Sequence, residues 1–263
     1  MSTVLDKIVA QTRIDVAARA AALPLATLEA TLAPSLRSFA DALRSDRVGV
    51  RLLAEFKPRS PARGVLREGA QIADVVPVYA RYAAGISVLC DAPFFGGGYG
   101  MLREARALVD TPLLAKDFVV GRYQIAEARA AGADAVLLIA ALLDDPTMTE
   151  LLAYARDLGM EPLLETHDDD EQARALDAGA LVVGVNSRDL RTMAIDLRAM
   201  RRRLAMVPRD RVVVAESGTE TAADIDALCG VADAALIGSA LMTAADIGGA
   251  IEALGFSPVG ATP

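Results

Sequence analysis

Histidine occurs once, cysteine twice and lysine three times in this chain of 263 residues. Each scarcity removes a class of chemistry. Two cysteines, Cys90 and Cys229, are too few for a disulfide framework, and a reducing cytoplasm is the simplest setting for them. A single histidine, His167, makes neither a His-based metal site nor a catalytic triad without partners, and it reads as a loop residue near a helix start. Basic runs are missing apart from "RRR" at 201–203, which reads as a solvated helix face. With a net charge of −8 no basic stripe is left for nucleic acid, which is not an expected partner. No window reaches the roughly 18 apolar residues that a membrane span needs. The first residues are interrupted by Asp6, Lys7, Arg13, Asp15 and Arg19, so a secretory signal is not expected there. Leu5, Ile8, Val9 and Val16 instead predict an amphipathic helix.

What is abundant is apolar: 53% of the residues, against 24% charged, as suits a globular protein with a large core. Short apolar runs at 51–56, 86–90, 112–115, 135–139, 162–164, 181–185, 212–215 and 234–237 alternate with Ala-rich helical patterns. Examples of the latter are 121–133, 144–159 and 168–180, several opening on an N-capping Asp and closing on Gly. Runs without polar alternation suit strands buried on both faces, hence a parallel sheet. Eight strand–helix repeats predict an α/β fold, a (β/α)8 TIM barrel, preceded by an N-terminal helical segment of about residues 1–47. The barrel is expected over about 48–255, with 256–263 as a loose tail. An open doubly wound sheet also alternates, but it would usually carry a Gly-rich fingerprint after its first strand, where this chain has "EFKPRSPARG".

Polar residues gather where the predicted strands end. Glu55 and Lys57 close the first, Lys116 the third and Glu165 the fifth. Asn186 and Arg188 close the sixth, Glu216 and Ser217 the seventh, and Gly238 and Ser239 the eighth. In a barrel all these ends converge on one mouth, where the catalytic groups of such folds sit. Arginine stays protonated in any site, whereas a lysine can release its proton when burial or neighbours lower its pKa. Lys57 and Lys116 are therefore candidates for proton donation or nucleophilic attack, while Lys7 reads as surface charge. "ESGT" (216–219) and "IGSA" (237–240) place Gly and Ser beside turns whose N–H groups can cradle a phosphate. The acidic run Asp168–Glu171 and the pair Asp144 and Asp145 read as helix caps. Cys90 reads as a buried strand residue. The glycines of "FFGGGYG" (94–100) either turn the chain or let its aromatics line the mouth. Read from these residues alone, an isomerase, a Schiff-base aldolase and a non-catalytic scaffold on the same fold remain open.

The blocks "AEFKPRSP", "VLCDAPFFGGGYG", "LLAKDFVV", "LLETHDDDE", "VVGVNSRDLRT", "VVAESG" and "LIGSALM" together resemble the indole-3-glycerol-phosphate synthase family of the tryptophan pathway. The resemblance runs from "LDKIVAQTR" near the start to "IGSALM". It implies ring closure, decarboxylation and dehydration of 1-(2-carboxyphenylamino)-1-deoxyribulose 5-phosphate, a small-molecule substrate, with no metal and no organic cofactor. It also implies roles. Lys116 matches the principal general acid, Glu165 the carboxylate assisting dehydration, and Lys57 a second catalytic lysine. Glu55, Asn186 and Glu216 match orienting residues, and Ser60, Arg188 and Ser217 substrate contacts, with Phe95 on the apolar part of the mouth. Gly218, Gly238 and Ser239 match the phosphate cradle. The chain departs from the family pattern at Cys90, Gly98 and Arg59, in the loops around the mouth. It closes after the eighth strand–helix unit, so the second, isomerase barrel carried by some fusions of the family is not expected.

Overall fold

The eight apolar runs pair with one another in the computed structural model, which describes residues 4–61, 63–188 and 194–260. They form β1 (Arg51–Phe56), β2 (Gly85–Leu89), β3 (Leu113–Lys116), β4 (Ala135–Ile139), β5 (Leu163–Thr166), β6 (Val182–Asn186), β7 (Val212–Glu216) and β8 (Ala234–Ile237). Every neighbouring pair is parallel, and β1 closes the ring between β8 and β2. The fold is a (β/α)8 barrel with an added N-terminal helix.

Five strands differ from expectation, four of them in a common direction. The third, fifth, sixth and seventh run one or two residues further into polar sequence than their apolar cores, to Lys116, Thr166, Asn186 and Glu216, while the second is Gly85–Leu89 rather than 86–90. The physical reason is that backbone pairing continues past the apolar residues: Asn186 stands opposite Glu216, and Lys116 opposite Leu89. Hydropathy cannot register a strand whose last side chain is polar because it points into a mouth. At the other end Pro112 and Pro162 lie outside their strands, as residues without an N–H to donate.

Successive side chains of a strand point to opposite faces. Leu53, Leu114, Leu163, Val182, Val212 and Val214 fill the barrel interior, whereas Leu52, Ala54, Ala115, Leu164, Val183 and Val213 pack outward against the helices. Glu55, Lys116, Glu165, Asn186 and Glu216 each lie an even number of residues after one of those interior positions. They therefore inherit the inward direction and make the top layer of the same stack.

The N-terminal segment works at both ends of the barrel. The first helix, α1 (Val4–Ala22), and the short α2 (Leu25–Glu29) lie against the helix Arg122–Ala130, where Leu28 packs with Tyr123 and Ala126. Arg19 pairs with Glu127 at 3.0 Å. From there α1 carries Val4, Leu5 and Ile8 to the mouth. The third helix, α3 (Phe39–Leu43), closes the opposite pole: Phe39, Ala40 and Leu43 are buried in the interior cluster beneath Leu53. Buried aspartates bolt this segment down. Asp134, at the foot of β4, accepts from the Leu113 N–H (2.9 Å) and the Ser35 hydroxyl (2.7 Å) and pairs with Arg106 (2.9 Å). Asp233, at the foot of β8, accepts from the Val213 and Ser45 N–H groups.

Two further expectations change. Of the arginine triplet, Arg201 and Arg202 are exposed, but Arg203 is buried and its carbonyl accepts from the Gln172 amide. At the carboxyl end Phe256 is buried in the outer core and the Val259 N–H bonds to the Arg81 carbonyl at 2.7 Å.

Removing the Asp134 carboxylate leaves Arg106 without its buried partner and the Leu113 N–H without an acceptor. The Asp134→Ala variant is expected to lose about 3–5 kcal/mol of unfolding free energy, read as a fall in the urea midpoint at unchanged slope.

Candidate active site

A cavity of about 420 Å³ opens at the C-terminal ends of the strands. Every residue that the sequence singled out for catalysis, substrate contact or phosphate binding lines it. At its centre the Lys116 ammonium donates to Glu165 (3.1 Å) and to Glu216 (2.8 Å). The Asn186 amide donates to the other oxygen of Glu165 at 3.1 Å. Lys57, just past the end of β1, forms a second, close ion pair with Glu55 two residues before it. Both lysines are mostly buried, with side chains 12% and 17% exposed for Lys116 and Lys57.

The electrostatics reverse one expectation about Lys116. Burial alone would lower its pKa, but the carboxylates of Glu216, Glu165 and Glu55 outweigh it and hold the ammonium well above the ordinary lysine range. Lys116 is thus a lysine kept charged, not one freed of its proton. The two carboxylates it joins are pushed apart. Burial, then the Glu165 charge, raises Glu216 to about 8 against the pull of Lys116. Burial also acts upward on Glu165, but Lys116 and then His167 hold it well below the usual carboxylate range. The cluster thus sets one ammonium between two carboxyl groups of unequal acidity, Glu165 the stronger acid and Glu216 the weaker, so that donor and acceptor roles are already divided.

Room for this cluster comes from glycine. Gly184, on β6, pairs with Glu165 in the ladder, and a Cβ there would collide with Glu216 Oε1. Beside it, the phosphate-cradle candidates form a turn: Ser217 and Gly218 have φ of +66° and +78°. Gly218 also sits where a Cβ would meet Leu197 at 2.7 Å, so neither its conformation nor its space admits a side chain. The Ser187 hydroxyl holds this turn by donating to the Ser217 carbonyl at 3.0 Å. Gly238 and Ser239 lie across from it, at the start of the short helix Ser239–Met242.

The loops meet over the mouth. Arg59 donates from its guanidinium to the carbonyls of both Pro93 and Phe94, a forked contact that suits its planar set of donors. Asp91 caps the turn Ala92–Phe95 by accepting from the Phe94 and Phe95 N–H groups. Of the aromatics in "FFGGGYG", Phe95 lines the cavity, its ring centroid 5.8 Å from that of Phe118, whereas Phe94 and Tyr99 are not on the wall. Cys90 is buried, and burial pushes its thiol up. The Arg188 N–H donates to Asn186 Oδ1 at 3.0 Å, which orients the amide whose other end holds Glu165.

The sequence reading missed two sets of residues. Val4, Leu5, Ile8 and Phe118 give the cavity an apolar wall. Leu5 and Ile8 belonged to the helical pattern already seen, but nothing local says that a helix so far from β1 in sequence returns to the mouth. His167 is no plain loop residue. Its Nε2 lies 3.0 Å from Glu165 Oε1 and its Nδ1 lies 3.1 Å from Glu171 Oε2.

A closed parallel barrel with an acid–base cluster at its C-terminal mouth defines a (β/α)8-barrel enzyme. The sequence profile described as indole-3-glycerol phosphate synthase matches residues 5–254. An indole-3-glycerol phosphate synthase of Burkholderia vietnamiensis is 45% identical over 97% of this chain and 100% of its own length. One of Roseiflexus sp. is 43% identical over 97% and 99%. The chain belongs to the indole-3-glycerol phosphate synthase family. Solved structures share the fold at lower identity. A 3-hexulose-6-phosphate synthase superposes with a TM-score of 0.61 at 20% identity, over 78% of this chain and 98% of that one. A mutant tryptophan synthase alpha-subunit from Pyrococcus furiosus does so with 0.60 at 17%, over 78% and 97%.

A methyl group at Gly184 has no place to go without moving Glu216 off Lys116. The Gly184→Ala variant is expected to fold and to lose about 100-fold in kcat, measured by steady-state turnover beside a circular-dichroism melt.

Proposed function

We propose that the chain converts 1-(2-carboxyphenylamino)-1-deoxyribulose 5-phosphate to indole-3-glycerol phosphate, CO2 and water, with the labour divided among the residues around Lys116. The observation that carries this reading is the buried Lys116 ammonium held between the carboxyl groups of Glu165 and Glu216 at the mouth of the barrel. A charged lysine has three N–H donors. Two of those on Lys116 are directed at Glu165 and Glu216, which leaves one for the ketone oxygen of the substrate. As the aromatic carbon attacks the ketone carbon, Lys116 donates its proton to that oxygen and a hydroxyl results. Glu216, 2.8 Å away and with its pKa raised to about 8, is placed to return a proton to the amine.

Loss of CO2 then sends the C–C bonding electrons back into the ring and restores aromaticity. In the last step the new hydroxyl leaves as water. Lys57 supplies the proton, and Glu165 takes one from the adjacent carbon to form the second ring's double bond. Glu55 orients Lys57, and Asn186 orients Glu165. Arg188 and Ser60, both on the cavity wall, hold the substrate's polar groups, and the turn at Ser217 and Gly218, with Gly238 and Ser239, takes the phosphate. The aromatic ring lies against Phe95 and the apolar residues of α1. Segment 1–47 and barrel 48–255 act as one unit, because the first plugs the base and covers the mouth of the second. Among the described residues no helix is long and apolar enough to cross a membrane. The two free cysteines support a cytoplasmic setting.

Purified protein mixed with the carboxyphenylamino-deoxyribulose phosphate is expected to develop indole-type fluorescence; a folded preparation that gives no emission overturns the reading. General acid catalysis contributes ~10²–10⁴-fold, so Lys116→Ala is expected to lose turnover by that factor. Calorimetry with the same variant is expected to show the substrate still bound through its phosphate.

A further inference from the structure

His167 stands one alternation beyond Glu165 and behind it. Among the described residues, the cavity wall includes Glu165 but neither His167 nor Glu171. The imidazole is 9% exposed and has a carboxylate at each nitrogen, Glu165 at Nε2 and Glu171 at Nδ1. Carboxylates against both nitrogens favour the cation: Nδ1 hydrogen-bonds Glu171, and Nε2 meets Glu165 as a close ionic contact. Glu171 is itself fixed. Its Oε2 accepts the His167 backbone N–H at 2.7 Å, and its own N–H is capped by Asp168 at 2.8 Å. Glu165 consequently has a separate cation at each oxygen: Lys116 at Oε2 and His167 at Oε1.

We propose that His167 is a positioning residue: an imidazolium anchored by Glu171 that fixes the angle of the Glu165 carboxylate and keeps it ionised until it acts as the base of dehydration. The need arises from Lys116. In the ring-closing step that ammonium gives up its proton, and until Glu216 returns one, Glu165 lacks the cation at Oε2. A second cation that takes no part in the proton transfers keeps the carboxylate charged across that interval. The groups facing the imidazole agree with this role. Glu165 on its own strand and Glu171 from helix Asp169–Asp177 are both acidic, and the turn Ala140–Leu142 beside them brings no charge. Beyond Glu165 stand Lys116, Glu216 and the neutral Asn186. Although burial pulls the imidazole down, the two glutamates push it up to about 10.

The inference rests on Glu165 being the base of dehydration, so Glu165→Gln is measured alongside. His167→Ala is expected to lower kcat by about 10- to 100-fold with KM within about threefold and the melting midpoint little changed. Removing a cation raises the pKa of the acid beside it. The acidic limb of the kcat–pH profile is therefore expected to move up by about 1 pH unit or more. His167→Asn, which keeps a donor without the charge, is expected to recover part of kcat but not the position of the limb. Glu171→Gln, which keeps an acceptor for the backbone N–H, is expected to lower kcat in the same direction and remains informative where His167→Ala does not fold. Wild-type kcat and an unmoved limb in His167→Asn and Glu171→Gln, with Glu165→Gln inactive, overturn the role of His167 alone. A fully active Glu165→Gln overturns this proposal together with the assignment of Glu165.

Discussion

Everything at the mouth depends on one buried ammonium. Lys116 reaches the centre of the ring from β3 and draws together carboxylates from β5 and β7, strands that are not its neighbours. Two carboxylates and a lysine removed from water are costly unless they meet in good geometry. Here that requirement is met from all around the ring, with Gly184 supplying the volume on β6 and Asn186 the remaining hydrogen bond. The barrel's stagger is thereby tied to its chemistry. A one-residue slip of β5 would turn Glu165 out among the helices and Leu164 in.

The division of charge within the cluster follows from placement. Glu165 has cations at both oxygens and stays ionised. Glu216 is buried, shares only Lys116 and is close to a carboxylate already charged, so it is the weaker acid of the two. Similar side chains on strands of one sheet thus acquire opposite tasks from what stands beside them, without any difference in chemical type.

Much of this was legible in the sequence because alternation is simple. Eight apolar runs announced eight strands, and the polar residues closing them announced the mouth. What could not be read was anything set by distance across the ring. Lys116 as an isolated lysine invited a lowered pKa, and only the three converging carboxylates reverse the sign. His167 looked idle because a lone histidine has no partners within sequence reach except Glu165 and Glu171, and their meaning depends on a strand end running straight into a helix start. Arg203 lost its solvent to a neighbouring helix, which a local charge run cannot foresee. Strand ends were placed short for a related reason, since a polar residue in register hydrogen-bonds its backbone as well as an apolar one does.

The first helix has a mechanical meaning beyond the wall it contributes. Its 19 residues make a rod ~28 Å long at 1.5 Å per residue. One end is pinned to the side of the barrel by Arg19 and Glu127, and the other bears the apolar residues that face the cavity. A rod fastened near one end turns small displacements at its pivot into larger ones at its tip. A change in the packing around Arg19 and Glu127 is in this sense carried along the helix to the wall that Val4, Leu5 and Ile8 give the cavity.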